Sequence, residues 1–429
     1  MKSLLHGSAI CLLLPLGWVA PALAEENPAV VETLAILRER GMIDEAKHAE
    51  LVAKNQAWET SHPSLLSRLE WSADFRSRLE SFWYEEDPFG VDSSDNTRGR
   101  YRLRIGARAK VNEVVTAGFR FGSGDANGFR SENRSLGKSE NFDYDPIFID
   151  QAYVELAVPK RFLPEGMTLK SISGKQANPF LWKNGKDILI WDNDITPEGV
   201  GLQLTALPAE QLNVFANAGY FISNQNDASS DAHVLGLQSG IGFAPAADVD
   251  TGMRVSWYSW GSQRGESTGV NFEDDEESSG NLVPNDFSVV EGAAYVRLKQ
   301  IEGWPILINA GFAQNVSAEN VAGAGDQNIG WNAGLEVGDK KRIALFGLGY
   351  YWAEANFTPA QFTDSDLFDG FTNRKGWMFF AQRQLFENTD VQVTLFNDDP
   401  IEDGAVFDIG GSTPSSERLR LQTDLVVTF

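Results

Sequence analysis

Residues 418–429 read RLRLQTDLVVTF. The odd positions of this segment are mainly apolar, and the even positions begin with charged or polar side chains: Arg418, Arg420, Gln422 and Asp424. Alternation at period two is typical of a β-strand, because successive side chains point to opposite faces. One apolar face and one polar face predict a strand that separates two different solvents.

Two earlier segments, 70–83 and 100–112, show the same alternation. Their even positions carry many basic side chains: Arg76, Arg78, Arg100, Arg102, Arg104, Arg108 and Lys110. An arginine that faces hydrocarbon at the bilayer midplane costs ~2–4 kcal/mol, so several on one strand would prevent insertion. We therefore expect this basic face to line a water-filled lumen, together with Arg120 of the next strand.

Sixteen candidate strands follow one another from residue 67 onward. The connections after even-numbered strands are short, and those after odd-numbered strands are mostly long. Outer-membrane barrels are built in this way, with short turns in the periplasm and long loops outside. The sequence thus predicts an all-β fold, a transmembrane antiparallel β-barrel of about 16 strands, with eighteen as the alternative count.

The N-terminal residues differ from the barrel. A basic start, an apolar stretch and an A-x-A site at 22–24 predict a signal peptide over residues 1–24. Helical spacing of apolar residues within 25–66 predicts a short periplasmic helical segment. Residues 67–429 are left for the barrel. The only cysteine, Cys11, lies in the signal peptide, so the mature chain is expected to lack thiols and disulfides.

Composition and motifs exclude several classes of function. The net charge of -24 would repel nucleic acid. None of the four histidines (His6, His48, His62 and His233) has the spacing of a catalytic triad or a metal site, and no hydrolase or phosphate-binding motif occurs. We expect no enzyme activity, no catalytic residue, no cofactor and no metal site.

One long connection, residues 177–199, combines apolar and acidic side chains. So apolar a loop is expected to fold against the inside of the barrel rather than lie in water. Its carboxylates would then oppose the lumen arginines and form a constriction: Asp187, Asp192, Asp194 and Glu198. The alternative is that loop and arginines only brace the wall without controlling passage.

Four segments resemble the putative porin family of Gram-negative outer-membrane β-barrels. They are RGRYRLRIGARAKVNEVVTAGFRFGSGD (98–125), IDQAYVEL (149–156), SGKQANPF (173–180) and IWDNDITPEGVGLQL (190–204). The resemblance implies a single-chain barrel that forms a pore, and it implies no particular substrate.

These observations predict a porin of the bacterial outer membrane, through which small hydrophilic solutes or ions diffuse passively. A substrate-specific channel for an anion or a small oligomer is the first alternative, and an occluded barrel with a structural or adhesive role is the second. Expected partners are outer-membrane lipid, lipopolysaccharide and the solutes themselves, and the habits of the fold suggest a homotrimer. Six aromatic residues are expected in the interfacial aromatic belts, with sugar stacking in the lumen as the alternative: Trp71, Trp83, Tyr350, Trp352, Trp377 and Phe429.

Overall fold

The computed structural model describes residues 28–61, 69–84, 96–124, 131–182, 189–225, 231–261, 281, 287–299, 304–320, 323–402 and 417–429. The predicted signal peptide at residues 1–24 lies outside this part of the chain. None of the helices described is long and apolar enough to cross a membrane.

Two helices, α1 (Pro28–Glu39) and α2 (Glu45–Ser61), lie in the segment for which the sequence predicts helices. Arg38 of α1 pairs with Glu45 at the start of α2, at 3.3 Å. Within α2, Glu50 pairs with Lys47 and Lys54, one turn away on either side. Ion pairs at these spacings support a helix at its surface.

Seventeen strands are described. They are β1 (Leu69–Tyr84), β2 (Asn96–Lys110), β3 (Val115–Ser123), β4 (Arg134–Ser135), β5 (Ile147–Ala157), β6 (Met167–Lys175), β7 (Glu198–Ala209), β8 (Leu212–Asn224), β9 (Ala232–Ala246), β10 (Val249–Gly261), β11 (Phe287–Leu298), β12 (Ile306–Asn315), β13 (Ile329–Gly338), β14 (Leu345–Ala353), β15 (Arg374–Phe386), β16 (Thr389–Pro400) and β17 (Arg418–Thr428).

Sixteen of these strands form one closed antiparallel barrel, as the sequence predicts. The two-residue strand β4 is additional: it pairs with β2, where Ser135 lies opposite Arg100. The barrel closes between its first and last strands, where Arg78 of β1 lies opposite Asp424 of β17. Closure leaves no unpaired edge, so every strand finds hydrogen-bond partners on both sides.

The connections divide the barrel into a short-turn end and a long-loop end. At the short-turn end, β7–β8, β9–β10 and β15–β16 are joined by 210–211, 247–248 and 387–388. At the long-loop end the connections include 262–286 and two that shape the interior: loop A (residues 176–197, described except for 183–188) and loop B (residues 354–373).

The two faces of the wall differ in exposure as the alternation requires. On β1, Trp71 and Leu79 are 57% and 56% exposed, whereas Arg78 and Glu80 are 3% and 0% exposed. The exposed set is apolar and the buried set is charged, so the apolar face is the outer one. Aromatic side chains gather on this outer face at β13 and β14, where the Trp331 and Trp352 rings stack at 6.5 Å.

Loops A and B both fold back inside the barrel. Their apolar side chains pack on inward-facing side chains of the wall and form the inner apolar cluster: Phe180, Leu189, Ile190, Trp191 and Ile195 of loop A, Phe357, Phe362, Leu367 and Phe368 of loop B, and wall residues that include Tyr258 and Trp260. Glycines make room for two of the rings. A Cβ atom at Gly236 would lie 2.3 Å from Phe180, and one at Gly330 would lie 2.4 Å from Phe357.

Candidate functional site inside the barrel

Four neighbouring strands present arginines on the inner face of the barrel. This arginine wall consists of Arg418 and Arg420 on β17, Arg76 and Arg78 on β1, Arg98, Arg100, Arg102 and Arg104 on β2, and Arg120 on β3. The residues alternate with outward apolar ones, so strand periodicity alone brings them to one surface. Most of them are buried, which requires that other groups supply counter-charges.

Part of the counter-charge comes from the wall itself. Asp74 accepts hydrogen bonds from Arg102 at 3.1 Å and Arg104 at 2.7 Å. Glu80 is fully buried and forms an ion pair with Arg420 through Oε1. The other carboxylate oxygen of Glu80, Oε2, lies 2.6 Å from Arg98 Nε. A carboxylate this deep is stable only because several guanidinium groups surround it.

Loop A contributes one carboxylate to the arginine wall. An oxygen of Asp194 lies 3.3 Å from Arg102 Nη1 and 3.5 Å from Arg104 Nη1. Burial alone would raise the pKa of Asp194, but the charges of Arg102, Arg76 and Arg104 lower it overall. Asp194 is therefore ionised at neutral pH and faces the arginines that the sequence places in the lumen.

The other three predicted carboxylates of this loop lie elsewhere. Asp192 is buried and accepts backbone hydrogen bonds from Asp194 and Ser365, each at 2.7 Å, so it joins loop A to loop B instead of facing an arginine. Burial and the neighbouring charge of Asp364 raise its pKa. Glu198 begins β7 and pairs with Lys175 at 3.0 Å, with an exposed side chain. Asp187 lies outside the described residues.

Loop B contributes carboxylates that the sequence analysis missed. Asp366 lies 2.7 Å from Arg78 and 3.1 Å from Arg420, and Asp369 forms ion pairs with Arg420 and Arg418. Although burial opposes ionisation, these arginines lower the pKa of both carboxyls. The composition of loop B could have predicted these carboxylates, because residues 354–373 combine aromatic and acidic residues in the same way as loop A.

The segment before β4 supplies two further partners. Glu132 lies 2.9 Å from Arg104 and 3.6 Å from Arg120, and burial together with the charge of Asp194 raises its pKa to about 8. The side-chain oxygen of Asn133 accepts hydrogen bonds from Arg76. Neither residue stood out in the sequence, because a single glutamate in a polar loop has no characteristic spacing.

Two predicted lumen residues stay apart from this network. The side chain of Arg108 is 50% exposed and lies 3.9 Å from Glu155. Lys110, the last residue of β2, is exposed. Both lie near the end of β2 that leads into the short connection 111–114. Arg76, Arg78, Arg100, Arg102, Arg104 and Arg120 are the predicted residues that the structure brings together.

The arrangement offers fixed charge and hydrogen-bond donors. In the parts of the chain that the structure describes, no group of three or more His, Cys, Asp or Glu residues is placed to hold a metal ion. His233 lies beside the Tyr220 ring, with its Nδ1 near the Asp231 carbonyl oxygen.

Comparison with known proteins finds similar solved structures. The chain is similar to the solved structure of OprB from Pseudomonas putida, with 9% identity, a TM-score of 0.52, and coverage of 87% of this chain and 97% of that chain. It also resembles the outer membrane channel DcaP of Acinetobacter baumannii, with 12% identity, a TM-score of 0.45, and coverage of 84% and 97%. A mutant porin from Rhodopseudomonas blastica matches with 10% identity, a TM-score of 0.45, and coverage of 84% and 100%.

A search of the curated proteins finds no match to the sequence. The sequence pattern of the family described as "Putative porin" matches residues 80–305, which is more than half of the chain. Family and fold together indicate a channel rather than an enzyme. The chain therefore belongs to the putative porin family.

Proposed function

We propose that the chain is an outer-membrane porin through which small hydrophilic solutes and ions diffuse passively. Family membership and the closed sixteen-stranded barrel support a channel. The observation that carries the finer proposal is the position of Asp194, within 3.3–3.5 Å of Arg102 and Arg104 on the facing wall. A loop carboxylate opposite wall arginines supplies both signs of charge at one level of the interior.

Opposed fixed charges of this kind filter solutes without chemistry. They orient water between them, favour solutes with a matching charge or dipole, and set the ion preference of the path. The arginine wall lies on β17, β1, β2 and β3, whereas wall residues of the inner apolar cluster include Tyr258 and Trp260 of β10. We therefore place the water path along the arginine side, because apolar side chains fill the space beside β10.

An occluded barrel is the second candidate function, and the inner apolar cluster favours it. Its loop A and loop B members are packed together, with the Trp191 and Phe362 rings 5.6 Å apart. If the two loops fill the cross-section, the barrel would have a structural or adhesive role. Conductance separates the two candidates.

The experiment is to refold residues 25–429 into planar lipid bilayers and record single channels under a salt gradient. Stepwise, ohmic openings support the porin proposal, and the sign of the reversal potential gives the ion preference. A folded barrel that remains silent would reject the proposal in favour of the occluded form. Heat-modifiable electrophoretic mobility is the control for correct folding.

The proposed setting is the bacterial outer membrane, with lipid and lipopolysaccharide around the apolar outer face. The exposed aromatics Trp71, Trp83 and Trp377 would lie at the lipid–water interfaces. A homotrimer remains part of the proposal, and chemical cross-linking in native membranes tests it.

A further inference from the structure

Nearly every arginine in this region has a carboxylate oxygen within ion-pair distance, and one arginine does not. Among the described residues, nine arginines on the inner face of β15, β17, β1, β2 and β3 form ion pairs with nine carboxylates. The carboxylates are Asp74, Glu80, Glu132, Asp150, Asp194, Asp366, Asp369, Asp398 and Asp424. Arg76 is a tenth arginine on the same inner face, and no described carboxylate oxygen lies within ion-pair distance of it.

Hydrogen bonds hold Arg76 in one orientation. Its Nε and Nη2 atoms both donate to Asn133 Oδ1, at 3.1 and 2.6 Å. The Asn133 amide is held in turn, because its Nδ2 donates to Ser131 Oγ at 3.1 Å. These bonds use one edge of the guanidinium. The other edge, formed by Nη1 and the second hydrogen of Nη2, is left without a described partner.

The free edge has the geometry that suits a carboxylate. Two parallel N–H donors of a guanidinium match the two oxygens of a planar carboxylate, and such bidentate pairs are strong and directional. Because Asn133 fixes the side chain in advance, little rotamer freedom would be lost on binding. Arg76 is also half-buried rather than fully buried, and the site requires that a solute reach its free edge from the lumen.

The carboxylates whose charges act on Arg76 are already paired with other arginines. Burial and the charges of Arg78 and Arg102 oppose the positive charge of Arg76, whereas the charges of Asp194 and Asp366 favour it. Both of these carboxylates already pair with other arginines, Asp194 with Arg102 and Asp366 with Arg78. An entering anion would therefore meet a cation whose own counter-charge is missing.

We propose that Arg76 is a binding site for the carboxylate group of solutes that pass through the barrel. The inference rests on the proposed channel function and adds the class of solute that the path retains. A carboxylate would bind the Nη1 and Nη2 edge of Arg76, on the side of the guanidinium that Asn133 leaves open. Neutral solutes of the same shape would pass without being held.

The test uses the refolded barrel in detergent with benzoate as the probe and benzamide as its neutral isostere. Saturation-transfer NMR measures binding, and reduction of the KCl current in bilayers measures block. The variants are Arg76→Lys, which keeps the charge but removes the fork, and Arg297→Lys as a matched control. Arg297 has its own partner, Asp250, at 3.1 Å on the inner side of β10 and β11.

We expect saturable benzoate binding to the unmodified protein and at least about tenfold weaker binding to Arg76→Lys, because a charge-assisted bidentate pair is lost. Arg297→Lys and the benzamide titration should show no such change. Equal benzoate affinity in all three proteins, or benzamide binding as well as benzoate, would overturn the Arg76 site. A barrel that binds benzoate through Arg76 but never conducts would reject only the channel function, and one that conducts without binding benzoate would reject only the site.

Discussion

Removal of one negative charge from loop A should shift the ion preference of the channel toward anions. The substitution is Asp194→Asn, which keeps the shape of the side chain. The arginines Arg102, Arg76 and Arg104 hold the pKa of Asp194 below its usual range, so the residue is charged at neutral pH. The substitution therefore removes one full negative charge. Arg102 and Arg104 would retain Asp74 as a partner, which limits structural damage.

The size of the effect follows from Coulomb's law. At ~7 Å, the approach of a hydrated ion, two unit charges interact by ~0.6 kcal/mol in bulk water and by ~2.4 kcal/mol at an effective dielectric constant of ~20. The lost carboxylate acts with opposite sign on cations and anions, so the interaction energy counts twice in the ratio of anion to cation permeability. With the lower energy, ~0.6 kcal/mol, this ratio should rise by a factor of ~7.

Reversal potentials under a KCl gradient measure this ratio. Glu198→Gln is the matched control, since it also removes one charge, but Glu198 pairs with Lys175 away from the arginine wall. The shift should be large near 0.1 M salt and small near 1 M, where the screening length is ~3 Å. A permeability ratio that stays the same in Asp194→Asn, or that moves equally in Glu198→Gln, would refute the assignment of Asp194 to the ion path.

Three further results are expected. Glu80→Gln should lower the free energy of unfolding by about 3–5 kcal/mol, because Arg420 and Arg98 lose a fully buried counter-charge. Urea unfolding in vesicles measures this free energy, and an equal loss in Glu387→Gln, a variant in an exposed turn, would contradict the prediction. Gly236→Ala places a Cβ 2.3 Å from the Phe180 ring and should destabilise the packing of loop A by about 1–3 kcal/mol. Limited proteolysis should then cut loop A faster. Gly242→Ala, in which the nearest atom lies 3.9 Å from the new Cβ, should leave the cleavage rate unchanged. Lowering the pH from 9 to 5 should raise anion preference, because Glu132 with a pKa of about 8 takes up a proton, as do Asp364 with a pKa of about 6 and its neighbour Asp192, whose pKa burial and the charge of Asp364 also raise. Reversal potentials against pH test this, and an upper step near pH 8 that persists in Glu132→Gln would count against the role of Glu132.

The sequence alone was sufficient to predict the barrel, its approximate strand count and the inward face of β1, β2 and β17. Period-two alternation is a local property, so Arg78 and Leu79 point to opposite faces whatever the rest of the chain does. The lengths of the connections then order the strands, because a two-residue turn such as 210–211 can only join antiparallel neighbours. The inward arginines Arg76, Arg102 and Arg104 followed from these two rules.

The partners of those arginines depended on the tertiary structure. Loop composition indicated that loop A folds inward, but no sequence rule states which of its carboxylates meets an arginine. Asp192 and Asp194 are two residues apart, yet one joins loop B and the other faces β2, because the turn between them points their side chains in different directions. Asp366 and Arg78 are 288 residues apart in the chain and meet only because loop B returns into the closed barrel. Contacts between distant segments depend on how loops pack inside a closed wall, and strand periodicity carries no information about that packing.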